Sequence, residues 1–490
     1  MAEVKSADFK HAAGRALRDE KLQHALDHVM EHFVGARANV IEADFGDESW
    51  EAMRTRAAAI KQSTLEHLDY YLDMVDKSVR RNGGHVYFAD DAAQANAIVL
   101  DIAKRNGVKT VIKSKSMVSE EMGVNHVLER EGIEPVETDL GEYIIQLAGE
   151  TPFHIIAPAM HKTRQEVSSL FQEWLKTAPT QDIKRLCVYA RDALREKFAA
   201  ADMGISGANF IVAETGTVCL VTNEGNGRMT TSAPRIHVVL AGMEKIVPAI
   251  EDLALFLRLL PRSATGQRIT SYNTFVGGPR SPSDEDGPEE FHLVFVDNGR
   301  LNLLRDEVMR EALRCIRCGA CLNHCPVYQK VGGHAYGWVY SGPIGAVVTP
   351  PMTNMKVARE LPYASTLCGK CKDVCPVKID IPRLLLHLRH KVAEGTAGER
   401  SATWMERLFV GQWHGAMRSR RALEGKANLG RLLTRSFARG GKVRRLPFAP
   451  MVSGWTASRD FPAPAQKSFA RLWREELSHE SGSANGTEQR

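Results

Sequence analysis

The chain has 490 residues, 43% hydrophobic and 25% charged, with a formal net charge of +5. That length exceeds what one hydrophobic core supports, so several domains are expected. The charge is too small to argue for nucleic acid, no nucleic-acid motif is present, and no run of about 18 apolar residues marks a membrane span. The start, Met1-Ala2-Glu3-Val4-Lys5, has no apolar stretch behind a basic beginning. No secretory signal is read there, and the cytoplasm is the expected compartment.

Residues 1–80 read as a helical region. Met53, Ile60, Leu65, Leu68, Leu72 and Val75 recur at helical spacing, and Asn82-Gly83-Gly84 punctuates the chain after them. Residues 81–300 alternate short β-type apolar runs with helical stretches. The expected strands are His85–Ala89, Thr110–Ile112, Ile155–Ala157, Phe210–Ala213, Thr217–Thr222, His237–Ala241 and Phe291–Val296. The expected helices are Asp91–Asn106, Ser119–Glu131, Thr163–Lys176, Gln181–Ala200 and Ile250–Leu260. That alternation predicts an α/β domain with a mainly parallel sheet. Residues 277–290 read as an exposed loop, and 301–314 as a helix that runs into Cys315. Residues 301–395 make a cluster-binding domain. Residues 396–490 form a basic C-terminal region, partly disordered, with Ser481–Arg490 its disordered end. Within it, 401–450 hold eleven Lys/Arg against only Glu406 and Glu424. Such a segment is either a solvated face or a contact for an acidic protein or an anionic membrane surface.

Seven of the nine cysteines fall within 315–375. Thiols stay reduced in the cytosol, so tight clustering favours metal over disulfides. The first motif is Cys315-x2-Cys318-x2-Cys321-x3-Cys325-Pro326. Three closely spaced thiolates on a turn wrap three corners of one cubane, and the fourth, followed by proline, reaches a different cluster. Gly319 lets the backbone come close. Zinc would prefer two separated pairs, often with histidine. The second motif, Cys368-x2-Cys371-x3-Cys375-Pro376, lacks the first cysteine, and Ser365 stands in its place. Cross-ligation assigns Cys315, Cys318, Cys321 and Cys375 to cluster 1, and Cys325, Cys368 and Cys371 to cluster 2. Two [4Fe-4S] clusters are the expectation. For cluster 2 a serine, water or partner ligand, a three-iron form, a labile cluster or an open iron all remain. Cys187 and Cys219 lie in apolar segments and read as buried core thiols. The glycine-rich stretches 332–338 and 341–345 do not follow a strand as a dinucleotide loop would. They read as packing that shields the clusters, with His334 part of it. His85, His154, His161 and His237 lack metal-type spacing and read as structural.

In the α/β region, Glu214-Thr215-Gly216-Thr217 and Asn223-Glu224-Gly225-Asn226-Gly227-Arg228 each fall at a strand end, where open α/β sheets bind ligands. The candidate ligand cleft is therefore Glu214, Thr215, Gly216, Thr217, Asn223, Glu224 and Arg228. Arg228 is a candidate grip for a carboxylate, with Glu214 or Glu224 as base. A β-hairpin turning at Asn223–Gly227 is the competing reading. Lys113–Ser116 and Asp202–Asn209 are further turns that would line such a cleft. No flavin or nicotinamide site is recognisable.

The cysteine motifs together with Gly204–Asn209, Ala213–Thr217, Thr222–Arg228, Gly332–His334, Tyr340–Val347 and Leu361–Ile379 resemble the lactate utilisation protein B family. The resemblance spans roughly residues 60–400 and more weakly the basic C-terminal part. It implies an α/β domain of the coenzyme A transferase and sugar-isomerase type, followed by an α-helical, two-cluster ferredoxin-like domain. It further implies an electron-transfer role in oxidising L-lactate to pyruvate, with two partners: a cysteine-rich subunit and a smaller α/β subunit. A second motif with three cysteines also matches the family. Two alternatives stand beside the electron carrier: a self-contained iron–sulfur hydroxy-acid dehydrogenase, and a redox sensor or scaffold.

Overall fold

A computed structural model describes residues 4–45, 47–396, 398–400, 402–443 and 459–477. It divides into two compact units, Met1–Ser401 and Ala402–Arg490.

The first unit opens with four helices: α1 (Phe9–Ala16), α2 (Glu20–Asp44), α3 (Asp47–Glu66) and α4 (Leu68–Arg81). Ten strands follow: β1 His85–Ala89, β2 Thr110–Lys113, β3 Glu134–Glu137, β4 Met203–Ser206, β5 Phe210–Val212, β6 Thr217–Thr222, β7 Ile236–Gly242, β8 Ile246–Val247, β9 Tyr272–Val276 and β10 Glu290–Val296. Six of them form one sheet, ordered β1-β10-β7-β4-β2-β3, with every pairing parallel. Helices cover both faces, so the central strands read as continuous apolar runs. All seven residues of β7 are buried. A smaller sheet, ordered β8-β5-β6-β9, stands beside it. The expected α/β architecture with a mainly parallel sheet is therefore present.

Several local expectations change. Ile155–Ala157 is not a strand. Its backbone is satisfied at close range instead. The Phe153 N–H donates to the Pro158 carbonyl at 3.0 Å, and His154 Nδ1 accepts from the Ile156 N–H at 3.0 Å. The expected helix Ser119–Glu131 is two helices, Met117–Met122 and Val124–Arg130, divided at Gly123, which has φ +65°. The helix expected over 301–314 is also broken. After Arg300–Arg305, the Asp306 side chain accepts from the N–H groups of Val308 and Met309 and starts a fresh 3-10 turn, Met309–Arg314. Asn223–Gly227 turns no hairpin: β6 leads into the helix Asn226–Ser232, and the hairpin connects β5 to β6. The expected loop at 277–290 is largely exposed.

The cluster segment is mostly short turns and one-turn helices around the buried helix Gly342–Met352, closed by the helix Ile381–Glu394. In the second unit, Thr403 and Glu406 form a capping box that starts the helix Trp404–Met417, and Arg420–Arg435 follows. Residues 481–490, read as disordered from sequence, lie outside the described residues. No helix among the described residues is long and apolar enough to cross a membrane.

Candidate metal centre

The two cysteine motifs fold as local copies of each other. The residue before the second cysteine position is left-handed in both, Arg317 at φ +60° and Leu367 at φ +55°. So is the glycine after it, Gly319 at +75° and Gly369 at +86°. Glycine occupies that conformation without a Cβ penalty. In each copy the glycine carbonyl accepts from the N–H three residues on, Leu322 or Lys372, at 2.9 Å. One-turn helices follow, Ala320–Asn323 and Lys370–Asp373. Backbone donors then face the ligand atoms. Arg317 N–H donates to Cys315 Sγ at 3.4 Å, and Ile379 N–H to Cys375 Sγ at 3.3 Å.

The structure brings the seven cysteines into two neighbourhoods. Cys318 and Cys321 each interact electrostatically with Cys315 and Cys375. Cys325 does so with Cys368, and Cys371 with both Cys325 and Cys368; Cys321 also senses Cys371 across the gap. None of the seven is in a disulfide. Five are buried, Cys315 is half-buried and Cys368 is exposed. Burial pushes the Cys318, Cys321 and Cys325 thiols up, Cys371 to about 12 and Cys375 to about 11. Thiolates in such surroundings need a cation of their own. Among the described residues, the trio of His, Cys, Asp or Glu ligand atoms lying within 4.8 Å of one another is Glu150, His161 and His334. No three cysteine sulfurs are that close. One tetrahedral zinc would need them about 3.8 Å apart, given Zn–S of about 2.3 Å. The donor set and its spread therefore fit iron–sulfur clusters.

Residues far away in sequence hold this segment. From α2, Arg37 Nη2 donates to the Val374 carbonyl at 3.1 Å. From α3, Arg54 donates to the Cys375 carbonyl at 2.9 Å and the Lys372 carbonyl at 3.3 Å. The first motif rests on the α/β side. Tyr328 Oη donates to the Phe153 carbonyl at 2.8 Å, and His154 Nε2 meets Asn323 Oδ1 at 2.9 Å. Burial pushes His154 down to about 3, so the ring stays neutral. Nothing in the spacing of these residues announced their role. Glu150, His161 and His334 have protein partners: Lys162 pairs with Glu150, His161 Nε2 meets Glu150 at 2.8 Å, and His334 Nε2 meets the Thr151 carbonyl at 2.8 Å.

A cavity of 490 Å³ lies at the carboxyl ends of β2, β3 and β4, between the α/β domain and the first motif. Of the sequence-derived cleft it contains Asn223 and Glu224. Ser114–Ser116 and Gly207–Asn209 also line it, as the turns suggested. Arg228 does not line the cavity and is exposed. Glu214 caps the helix Ile250–Thr265 by accepting from the Ile250 N–H at 2.8 Å. Thr215 and Thr217 bond each other, and Gly216 packs on α4 at Val79. The cations at the cavity are instead Lys115, Lys245 and Arg317. Burial pushes Lys245 down to about 8. Arg317 lies 4.3 Å from the Tyr340 ring centroid and 3.6 Å from Glu244 Oε1, and its Nη1 is buried without a partner. Burial alone would raise Glu244, but Arg300 and Arg317 hold it at about 2. Arg300 in turn reaches Glu121 at 2.9 Å, so a buried ion array runs from the sheet to the first motif. Glu224 accepts from the Leu140 N–H at 3.2 Å, and partial loss of hydration at the cavity together with the Asp139 charge raises its carboxyl.

Paired cysteine motifs seated on a parallel α/β domain define an iron–sulfur protein of the two-cluster class. Residues 72–296 match the LUD domain model, and residues 311–379 match the 4Fe-4S dicluster domain model. The chain is 43% identical over 475 residues to lactate utilization protein B of Bacillus licheniformis, covering 97% of this chain and 98% of that one. Identity to lactate utilization protein B of Bacillus subtilis is 42% over 466 residues, 95% of each chain. To the uncharacterized electron transport protein YkgF of Escherichia coli it is 42% over 474 residues, 96% of each. The chain belongs to the lactate utilization protein B family. A solved DUF162 family protein from Deinococcus radiodurans covers 47% of this chain and 98% of its own at TM-score 0.27 and 13% identity, too slight a likeness to bear on the argument.

Proposed function

We propose that the chain is the iron–sulfur electron-transfer component of L-lactate oxidation to pyruvate, acting with a cysteine-rich subunit and a smaller α/β subunit. The observation that carries this reading is the asymmetry of the paired motifs. The cysteines assigned to cluster 1 are buried or half-buried, whereas Cys368 of the second set is exposed. Cys315, Cys318, Cys321 and Cys375 would hold cluster 1, and Cys325, Cys368 and Cys371 cluster 2. When bound, such clusters supply one-electron transfer. The protein's own contribution is to exclude water, through buried Leu322, Tyr336 and Ala320, and to fix the second motif through Arg37 and Arg54. The names of the relatives, lactate utilization and electron transport, support the same reading. For partners, the second unit offers the helix Trp404–Met417, which exposes Trp404, Leu408 and Trp413, followed by the basic helix Arg420–Arg435. Reversing the charge of several arginines there is expected to weaken assembly, measured by co-purification of the three subunits.

A second reading, a self-contained hydroxy-acid dehydrogenase, is favoured by one observation. The cavity carries Lys245 and Arg317, and Arg317 is two residues from Cys315. Cations in a cavity at the carboxyl ends of parallel strands suit a carboxylate. Anaerobic addition of L-lactate to the purified chain separates the two readings. Reduction by dithionite but not by lactate is expected of the electron carrier. Bleaching by lactate alone would replace that reading with the dehydrogenase, and Lys245→Met should then raise the lactate concentration required about tenfold or more.

A further inference from the structure

We propose that Ser365 Oγ is the fourth protein ligand of cluster 2. This rests on the two-cluster reading above and goes beyond it by completing the ligand set. Aligned on their Cys-Pro ends, Ser365 stands three residues before Cys368 as Cys315 stands three before Cys318. The backbone repeats with it: Leu367 copies the left-handed Arg317, and Gly369 copies Gly319. The hydrogen bond that orients the ligand atom also repeats. Leu367 N–H donates to Ser365 Oγ at 3.1 Å, as Arg317 N–H donates to Cys315 Sγ at 3.4 Å. One changed atom, oxygen for sulfur, therefore occupies an otherwise conserved local geometry.

The surroundings hold that geometry. Arg389 donates to the Pro362 carbonyl at 2.9 Å and the Ser365 carbonyl at 3.4 Å, and its guanidinium lies 5.0 Å from the Tyr363 ring centroid, pinning the segment before the motif. Ser365 is half-buried, close enough to solvent to release a proton. Ligation exchanges the Oγ–H bond for an Oγ–Fe bond, and the proton leaves to water. A metal ion makes this feasible at neutral pH because it lowers the pKa of an oxygen bound to it. Alkoxide is a harder donor than thiolate and favours the ferric state. Cluster 2 thereby acquires a lower potential than a four-cysteine cluster would have, while cluster 1 keeps four thiolates.

The test uses the full chain, purified anaerobically, as wild type, Ser365→Cys and Ser365→Ala. Iron is counted and the iron sites are read by Mössbauer and electron paramagnetic resonance spectroscopy. Wild type is expected to hold about eight irons, as two cubanes require, with one oxygen-ligated site. Ser365→Cys should keep the iron count, lose that site and raise the potential of cluster 2. Ser365→Ala should lose one iron per chain and show a three-iron signal after oxidation, with the cluster 1 signal unchanged. A wild type holding about seven irons, or one whose spectrum Ser365→Cys leaves unaltered, overturns the assignment. If Ser365→Ala does not fold, the comparison of wild type with Ser365→Cys decides alone. A wild-type count near four, one cubane, would instead overturn the two-cluster reading itself.

Discussion

Gly333 has no space for a side chain. A Cβ there would lie 1.6 Å from the Phe153 carbonyl oxygen, at the seam between the cluster segment and the α/β domain. Backbone cannot yield as a flexible side chain can. Gly333→Ala is expected to cost about 3 kcal/mol or more, read as a lowered urea midpoint together with reduced iron content. Cys187 shows how a residue's neighbours in sequence mislead. Its segment, Leu186-Cys187-Val188-Tyr189, suggested a buried thiol, yet Cys187 is exposed. On the helix Ile183–Ala200, Leu186, Ala190 and Leu194 share the buried stripe, and Cys187 sits one position off it. Cys219 is buried as expected, and burial pushes its thiol up to about 12. Brief alkylation of the native, cluster-loaded protein should therefore label Cys187 and spare Cys219 until the chain is unfolded, which peptide mass spectrometry would resolve. His237 is buried in β7 with Nε2 on Ser206 Oγ at 2.8 Å, and burial holds it at about 3, below the ordinary 6.5. Between those values the unfolded chain binds a proton that the folded chain refuses. Stability must then fall as pH drops below about 6.5. Urea unfolding at a series of pH values from neutral to mildly acidic should show that fall, with a shallower slope for His237→Asn.

At the scale of elements, the cluster segment depends on helices that precede it by hundreds of residues. Arg54 on α3 supplies two hydrogen bonds to carbonyls around Cys375. Arg54→Ala removes charged donors from a part-buried site, so a loss of about 1–3 kcal/mol is expected. Faster bleaching of cluster absorbance in air would accompany it. The expected strands that formed are the apolar runs β1, β2, β5, β6, β7 and β10. β4, Met203–Ser206, is central in the sheet yet carries a glycine and a serine. Gly204 is needed there because a Cβ would meet the Thr230 carbonyl at 1.9 Å, where the helix Asn226–Ser232 crosses. β3 reads Glu-Pro-Val-Glu and offers no apolar run, and β8 has only two residues. Ile155–Ala157 has the composition of a strand, but it folds as bends against the first motif because its polar backbone finds partners locally.

At the scale of the whole molecule, the cysteine spacings carried the metal chemistry. Ligand spacing is a local property: the turn that wraps a cubane spans only a few residues, and the Cys-Pro ends show in the sequence alone. The α/β class was legible for a similar reason, since strands buried on both faces must be apolar throughout. The cavity was not. Asn223 and Glu224 reach it, but the cations do not come from the strand-end loop around Arg228. Lys245 follows β7, and Arg317 arrives from the cluster segment, seventy-two residues further on (317 − 245). Their meeting depends on how the first motif docks on the carboxyl ends of the sheet. That docking is decided by long-range contacts such as Tyr328 with Phe153 and His154 with Asn323. The sequence by itself determined the iron–sulfur class of the chemistry and most strands of the parallel sheet, because periodicity and ligand spacing act within one turn or strand. Only the tertiary structure decided which charged groups surround those atoms, because burial and electrostatics depend on segments that are distant along the chain.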